Sequence, residues 1–189
     1  MSTSLNALVV ARRIADRLDE DEIPYGIGGA LALAAWGSPR ATKDVDLSIF
    51  IRADELARVF DAFERAGVVV NRSDAVRDVA RIGLFVGAAG RMRVDTFVSE
   101  HPHFEEMGRR RQAIVDDEGR QLWFITAEDL TVMKLIYGRD KDITDIERLF
   151  AVRPGLDLAY VRDWLAKMVP AGDRRLATLQ DLAQRFLNR

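Results

Sequence analysis

The sequence predicts an α+β chain: a small mixed sheet with flanking helices over the first two thirds, followed by a C-terminal region built only of helices. Three observations carry this. Short apolar runs alternate with amphipathic stretches up to about residue 125. Ile82, Leu84 and Val86, then Met92, Val94, Thr96 and Val98, alternate on either side of Ala88-Ala89-Gly90, which is the pattern of a β-hairpin. From Thr126 onward the periodicity is helical, broken only at Gly138, Arg153-Pro154-Gly155 and Pro170-Ala171-Gly172. The division expected is residues 1–125 as an α/β core and 126–189 as a helical subdomain packed on it, with a soft boundary and no flexible linker.

Composition narrows the class. The chain has 189 residues, 48% hydrophobic and 31% charged, which suffices for one substantial core. Its net charge of −2 comes from mixed acids and bases, so a large basic nucleic-acid surface is not indicated. There are no cysteines, which excludes disulfides, thiolate zinc sites and a cysteine nucleophile. The N-terminal apolar run is interrupted by Arg12 and Arg13, unlike a signal peptide, and no run approaches the ~18 apolar residues of a membrane span. A soluble cytoplasmic protein, with no membrane partner, is expected.

Taken in order, residues 4–20 carry Leu5, Leu8, Val9, Ile14 and Leu18 near helical spacing. Tyr25 to Ile27 reads as a short strand. Gly28-Gly29 opens an alanine- and leucine-rich helix that stops near Gly37-Ser38-Pro39. Val45 to Ile51 is a strand, and residues 53–66 a helix ended by Gly67. Val68 to Val70 is a short strand, 73–80 a helical turn or two, and 102–112 a polar helix. Gln121 to Ile125 is a strand. Thr126-Ala127-Glu128-Asp129 has the form of a capping box for a helix running to Tyr137. Further helices are expected at 142–151, 157–168 and 173–188.

Chemistry concentrates between Gly28 and Leu47. On a strand, residues i and i+2 share a face, so Asp44 and Asp46 project together while Val45 and Leu47 point to the core. Two neighbouring carboxylates repel unless a cation neutralises them. Oxygen-only ligands select a hard cation, and so few carboxylates suit Mg²⁺ completed by water and phosphate oxygens. Asp95 stands in an otherwise apolar strand, and pairing beside Asp44 and Asp46 would explain it. The bland alternative is an exposed edge-strand carboxylate paired with Arg93. Gly28 and Gly29 leave backbone open to phosphate at the start of a helix. Arg40 and Lys43, just before the acids, are candidates to steer or hold phosphate.

These residues resemble the nucleotidyltransferase superfamily of DNA polymerase β-like folds, in which a Gly-Gly turn, an Asp-x-Asp strand and a later strand with a third acid recur. Gly28-Gly29, Asp44-Val45-Asp46-Leu47 and Asp95 match these elements, and the spacing of 14 residues between Gly29 and Asp44 implies a slightly enlarged loop. The segment Gly37 to Leu47, and the block from Thr126 through Lys134 to Asp145, are similar to small bacterial nucleotidyltransferases, including abortive-infection toxins. The two blocks span residues 25 to 150. The resemblance implies transfer of a nucleoside monophosphate from an NTP such as ATP to an acceptor hydroxyl. It implies two Mg²⁺ (or Mn²⁺) ions held by Asp44, Asp46 and Asp95, with Asp95 also placed to accept a proton.

Lys134 occupies a narrow polar gap, with Thr131, on a helix otherwise covered by apolar residues. Such a lysine either snorkels or meets an anion; the resemblance favours the triphosphate and a place among the catalytic residues. Asp142 and Asp145, one turn apart on the next helix, are secondary candidates. His101-Pro102-His103 lacks supporting ligands for a metal. Trp36, Trp123 and Trp164 read as core or interface residues. Arg109-Arg110-Arg111 is the densest basic run and the best candidate for touching an RNA acceptor. A tRNA 3′ end, a small molecule such as an aminoglycoside or lincosamide, and a protein side chain stay open as acceptors, and a toxin would bring an antitoxin partner. The alternative is a non-catalytic nucleotide-binding or interaction module on the same fold.

Overall fold

β2, Asp44–Ile49, is the central strand of a seven-stranded sheet whose order is β3 (Val69–Val70), β4 (Leu84–Ala89), β5 (Met92–Phe97), β2, β1 (Tyr25–Ile27), β7 (Gln121–Phe124) and β6 (Gln112–Val115) among the described residues. The structure, a computed structural model, describes residues 6–116 and 118–186. It divides into two compact units. One holds the described residues up to Leu31 together with Ala41–Ile125; the other holds Ala32–Arg40 and the described residues from Thr126. A single cut at residue 126 therefore misses that 32–40 belongs with the C-terminal helices. The reason lies in side chains within that unit: the Arg153 guanidinium lies 5.4 Å over the Trp36 ring, and Arg40 pairs with Asp145.

In the first unit α1, Ala7–Glu20, is capped by Asn6, whose side chain accepts the Leu8 N–H. It buries Ala7, Val10, Ala11, Ile14, Ala15 and Leu18, one helical stripe, while Arg13 is exposed and Arg12 pairs with Asp116 at 2.9 Å. The expected start at residues 4–5, with Leu5, and the end at 187–188 lie outside the described residues. β1, Tyr25–Ile27, runs antiparallel to β2 and parallel to β7, Gln121–Phe124. A 3₁₀ turn at Ala53–Glu55 leads into α3, Leu56–Arg65. The hairpin of β4, Leu84–Ala89, and β5, Met92–Phe97, joins the sheet by parallel pairing of β5 with β2.

Three elements differ from the sequence expectation. α4, Arg72–Ile82, is longer than a turn or two and takes in Ile82, because Asn71 caps its start and Gly83 ends it in a left-handed conformation. α5, Pro102–Arg110, stops short of residue 112. Gln112–Val115 then forms β6, an edge strand antiparallel to β7 that has no apolar alternation because little of it is buried. β3, Val69–Val70, closes the opposite edge.

The inner face of the sheet carries Val45, Leu47, Ile49, Val94 and Thr96, all inaccessible to solvent. Phe85 of β4 reaches the same core and packs against Phe60 and Phe63 of α3, with ring centroids 5.5 and 5.8 Å away. The other face of β2 and β5 carries the charged residues, since side chains alternate along each strand.

The second unit comprises α6, Ala127–Tyr137, α7, Asp140–Val152, α8, Leu158–Met168, and α9, Arg174–Phe186, with most of α2, Gly29–Ala35. Thr126 caps α6 through the Asp129 N–H, and Gly138 ends it. Asp129, fully buried, accepts hydrogen bonds from the Thr126 and Tyr160 hydroxyls at 2.6 and 2.5 Å, tying α6 to α8. Among the described residues no helix is long and apolar enough to cross a membrane.

The aromatic cluster gives a direct stability test. Phe85→Ala should lower unfolding free energy by about 3–5 kcal/mol, since a buried ring is lost and its cavity cannot close fully. Urea unfolding followed by circular dichroism measures this; a loss under about 1 kcal/mol would mean that Phe85 is not part of the rigid core.

Candidate active site

β1 ends at Ile27, and the chain turns at Gly28-Gly29 into α2. The Gly28 N–H donates to the Asp46 carbonyl at 2.9 Å, fastening the turn to β2. Gly29 has φ +54°, the left-handed region, and a Cβ built on it would lie 1.8 Å from Asp46 Oδ2. The Asp46 carboxylate thus lies against backbone that only glycine can present. Gly28 is different: a Cβ there would meet its neighbours at 3.5 Å or more, ordinary contact.

The parallel pairing of β2 with β5 sets Asp44 opposite Arg93 and Asp46 opposite Asp95. Four charged side chains therefore form two rows on one face: Asp44 and Asp46 on β2, Arg93 and Asp95 on β5. Like charges directly opposite destabilise a sheet, so Asp46 beside Asp95 calls for a counter-charge. Asp44 and Asp95 each have a side-chain donor two residues earlier in the chain. Thr42 Oγ1 donates to Asp44 Oδ1, and Arg93 Nε donates to Asp95 Oδ1 at 2.7 Å. β5 lies between β4 and β2, so Asp95 is not on an edge strand, although it does pair with Arg93. Thr42 was not singled out by sequence; a Thr two residues before an Asp is the one local signal for it. Lys43 is exposed.

Among the described residues no three acidic or histidine side chains converge on one point as they stand. The donor set nevertheless suits a hard divalent cation: three carboxylates, no nitrogen or sulfur, on adjacent strands in register. Asp44, Asp46 and Asp95 are the residues that would hold it.

The remaining candidates lie in the second unit. Lys134 is 5% exposed, and its ammonium donates to Asp145 at 2.7 Å and Asp142 at 3.3 Å. Arg40 grips Asp145 with two bonds, Nε to Oδ1 at 2.9 Å and Nη2 to Oδ2 at 3.1 Å. Arg139 grips Asp142 in the same manner, at 2.6 and 3.2 Å. The anion that Lys134 meets here is the chain's own pair of carboxylates, both at most 2% exposed. Burial by itself would raise both carboxyl pKa values. Arg139 and Lys134 around Asp142, and Arg40 and Lys134 around Asp145, outweigh it and hold both below the usual carboxylate range.

The basic run does not act as one patch. Arg109 pairs with Glu105 and Glu106, while Arg111 stacks 4.7 Å from the Trp123 ring centre and 6.0 Å from that of Phe50. His101 caps α5 by accepting the His103 N–H, and His103 is buried. Trp36 is buried, whereas Trp123 and Trp164 are half-buried and stack with Arg111 and with Tyr160 and Lys167.

The profile of a family described as nucleotidyltransferase of unknown function (DUF6036) matches residues 11–183. No curated protein matches the chain. Among solved structures, the antibiotic-resistance factor ANT(2″)-Ia in solution superposes with a TM-score of 0.63 at 16% identity, covering 94% of this chain and 97% of that one. ANT(2″)-Ia crystallised with adenylyl-2″-tobramycin gives 0.56 at 14% identity, covering 95% and 98%. JHP933 from Helicobacter pylori gives 0.52 at 17% identity, covering 99% and 94%. At these identities the likeness is one of fold.

The two glycines should respond differently to a methyl group. Gly29→Ala should destabilise by at least about 2 kcal/mol, from φ strain and the collision with Asp46, and Gly28→Ala by under about 1 kcal/mol. Equal losses in urea melts would contradict the close approach of Asp46 to Gly29.

For the buried ion cluster, Asp145→Asn should cost about 3–5 kcal/mol at pH 7 by removing the carboxylate that Lys134 and Arg40 share and leaving Asp142 to balance Lys134. Because the folded-state carboxyl pKa values are depressed, their contribution is complete above the unfolded value of about 4 and is lost as pH falls through the lower folded values. Stability–pH curves of wild type and Asp145→Asn should therefore converge below about pH 4. A constant gap down to about pH 2 would show that the Asp145 charge is not the source.

Proposed function

The chain belongs to the nucleotidyltransferase family DUF6036, and we propose that it moves a nucleoside monophosphate from an NTP to the hydroxyl of a small acceptor molecule. The carrying observation is Asp46 set beside Asp95 in register, with Asp44 on the same face and Gly28-Gly29 adjoining. Asp44, Asp46 and Asp95 are the residues we assign to holding Mg²⁺, with Mn²⁺ able to use the same oxygens. When bound, the ions supply Lewis-acid polarisation of phosphate oxygens and a hydroxyl of lowered pKa.

The protein's own groups then have defined tasks. Asp95 accepts the acceptor's hydroxyl proton. The freed oxygen forms the bond to the α-phosphorus as the bond to the β-phosphate oxygen breaks, and pyrophosphate leaves with that electron pair. Gly28 and Gly29 keep side chains out of the phosphate approach. Lys43, exposed just before Asp44, offsets phosphate charge from solvent. Arg40, Lys134, Asp142 and Asp145 are assigned to the ion cluster that secures the helices of the second unit; their charges are committed to one another, which argues against Lys134 and Arg40 as nucleotide ligands.

A small acceptor is favoured over RNA for two reasons. The net charge is −2, and two of the three arginines of the densest run are engaged, Arg109 with Glu105 and Glu106 and Arg111 in aromatic stacking. The fold likeness to ANT(2″)-Ia, seen with adenylyl-2″-tobramycin, points to an aminoglycoside-like polyol as the first acceptor to try.

The test is pyrophosphate release with each NTP and Mg²⁺, offering aminoglycosides in one arm and total RNA in the other. Release with small polyols is expected, and Asp46→Asn should reduce it at least about a hundred-fold. Release with RNA alone, joined to growth arrest on expression, would replace the small acceptor with a tRNA end and make the protein a toxin with an expected antitoxin. Nucleotide binding without turnover on any acceptor would favour the non-catalytic module.

A further inference from the structure

We infer that Arg93 is an exchangeable counter-cation for the site: it occupies Asp95 when no divalent ion is bound, and an ion must displace it to be held by Asp95. This rests on the assignment of Asp44, Asp46 and Asp95 as metal ligands and goes beyond it in naming what the ion competes with.

The argument starts from register. Asp46 and Asp95 are direct cross-strand partners, and Asp44 shares their face. Without an ion, three carboxylates on one patch of sheet repel each other. Arg93 is the residue on the same face of β5, two positions before Asp95 and opposite Asp44. Its Nε–H donates to Asp95 Oδ1 at 2.7 Å, a charge-assisted bond at the site that an ion would need.

Two further observations make the bond exchangeable. The Asp95 side chain is 18% exposed and that of Arg93 56%, so the guanidinium can swing into water without leaving a buried charge. An ion pair whose cation lies in water is screened on that side and is released more readily than an enclosed one. Lys134, by contrast, is enclosed by its two carboxylates and has no such exit. The same arginine therefore lowers repulsion in the empty site and sets a threshold for loading it.

Mn²⁺ binding to the purified protein, measured by calorimetry or by Mn²⁺ paramagnetic resonance without substrate, tests this. Arg93→Gln should bind Mn²⁺ about three-fold more tightly than wild type, while melting at a lower temperature without metal and gaining more from Mn²⁺. A positive residue near a metal weakens binding at any distance, so the decisive arm is a double-mutant cycle. In an Asp95→Asn background Arg93→Gln should change Mn²⁺ affinity little, because the bond being exchanged is gone. Equal effects of Arg93→Gln with and without Asp95, or unchanged affinity in the single variant, overturn the inference and leave the metal assignment standing. Failure of wild type and Arg93→Gln alike to bind Mn²⁺ overturns the metal assignment, and the inference with it.

Discussion

The parallel register of β2 against β5 is the constraint on which the charged face depends. It places Asp46 beside Asp95 and Arg93 beside Asp44. A slip of β5 by one residue would carry Arg93 and Asp95 to the other face of the sheet, beside the buried Val45 and Leu47, and turn Val94 and Thr96 out of the core. The apolar side chains on the inner face and the acids on the outer face are thus enforced by one alternation. Burying Val45, Leu47 and Val94 selects the register, and the register assembles the acids. The turn at Gly28-Gly29 is bound to the same strand, through the Gly28 N–H to the Asp46 carbonyl and the close approach of the Asp46 carboxylate to Gly29.

The second unit handles charge in a different way. Asp142 and Asp145 lie inside it with three cations, Lys134, Arg40 and Arg139, and the two arginines each grip a carboxylate with two bonds. Buried ions cost desolvation, and a cluster like this is tolerable when each oxygen finds a donor. Such an arrangement is rigid, since the loss of any member strands the others. The two charged groups differ most at their centres: the Arg93–Asp95 pair opens to water, while Lys134 and the two carboxylates it meets are enclosed, with Arg139 at the rim.

Much of this was legible from sequence because local rules govern it. The stripe of α1, the caps at Thr126 and Gly138, and the alternation through β4 and β5 need only near neighbours to specify them. β6 was illegible because an edge strand with little burial carries no apolar alternation. The full length of α4 was missed because few of its residues are buried, so its bounds come from Asn71 and Gly83 rather than periodicity. The partner of Lys134 was ambiguous for another reason. A lysine in an apolar helix signals an anion nearby, but a substrate phosphate and a carboxylate eleven residues later leave the same mark on the sequence.

By itself, the sequence determined that Asp44 and Asp46 share a face, that Gly28-Gly29 precedes them at a strand-to-helix turn, and that Asp95 is an acid in an apolar strand needing a reason. Each follows from backbone periodicity or from a residue type. Only the tertiary structure decided that β5 pairs with β2 rather than lying at an edge, that Arg93 holds Asp95, that Arg40 and Lys134 converge on Asp145, and that residues 32–40 belong with the C-terminal helices. The physical reason is range: periodicity acts within a few residues, whereas strand order and buried ion pairs are chosen among partners up to 105 positions apart by how the whole core packs.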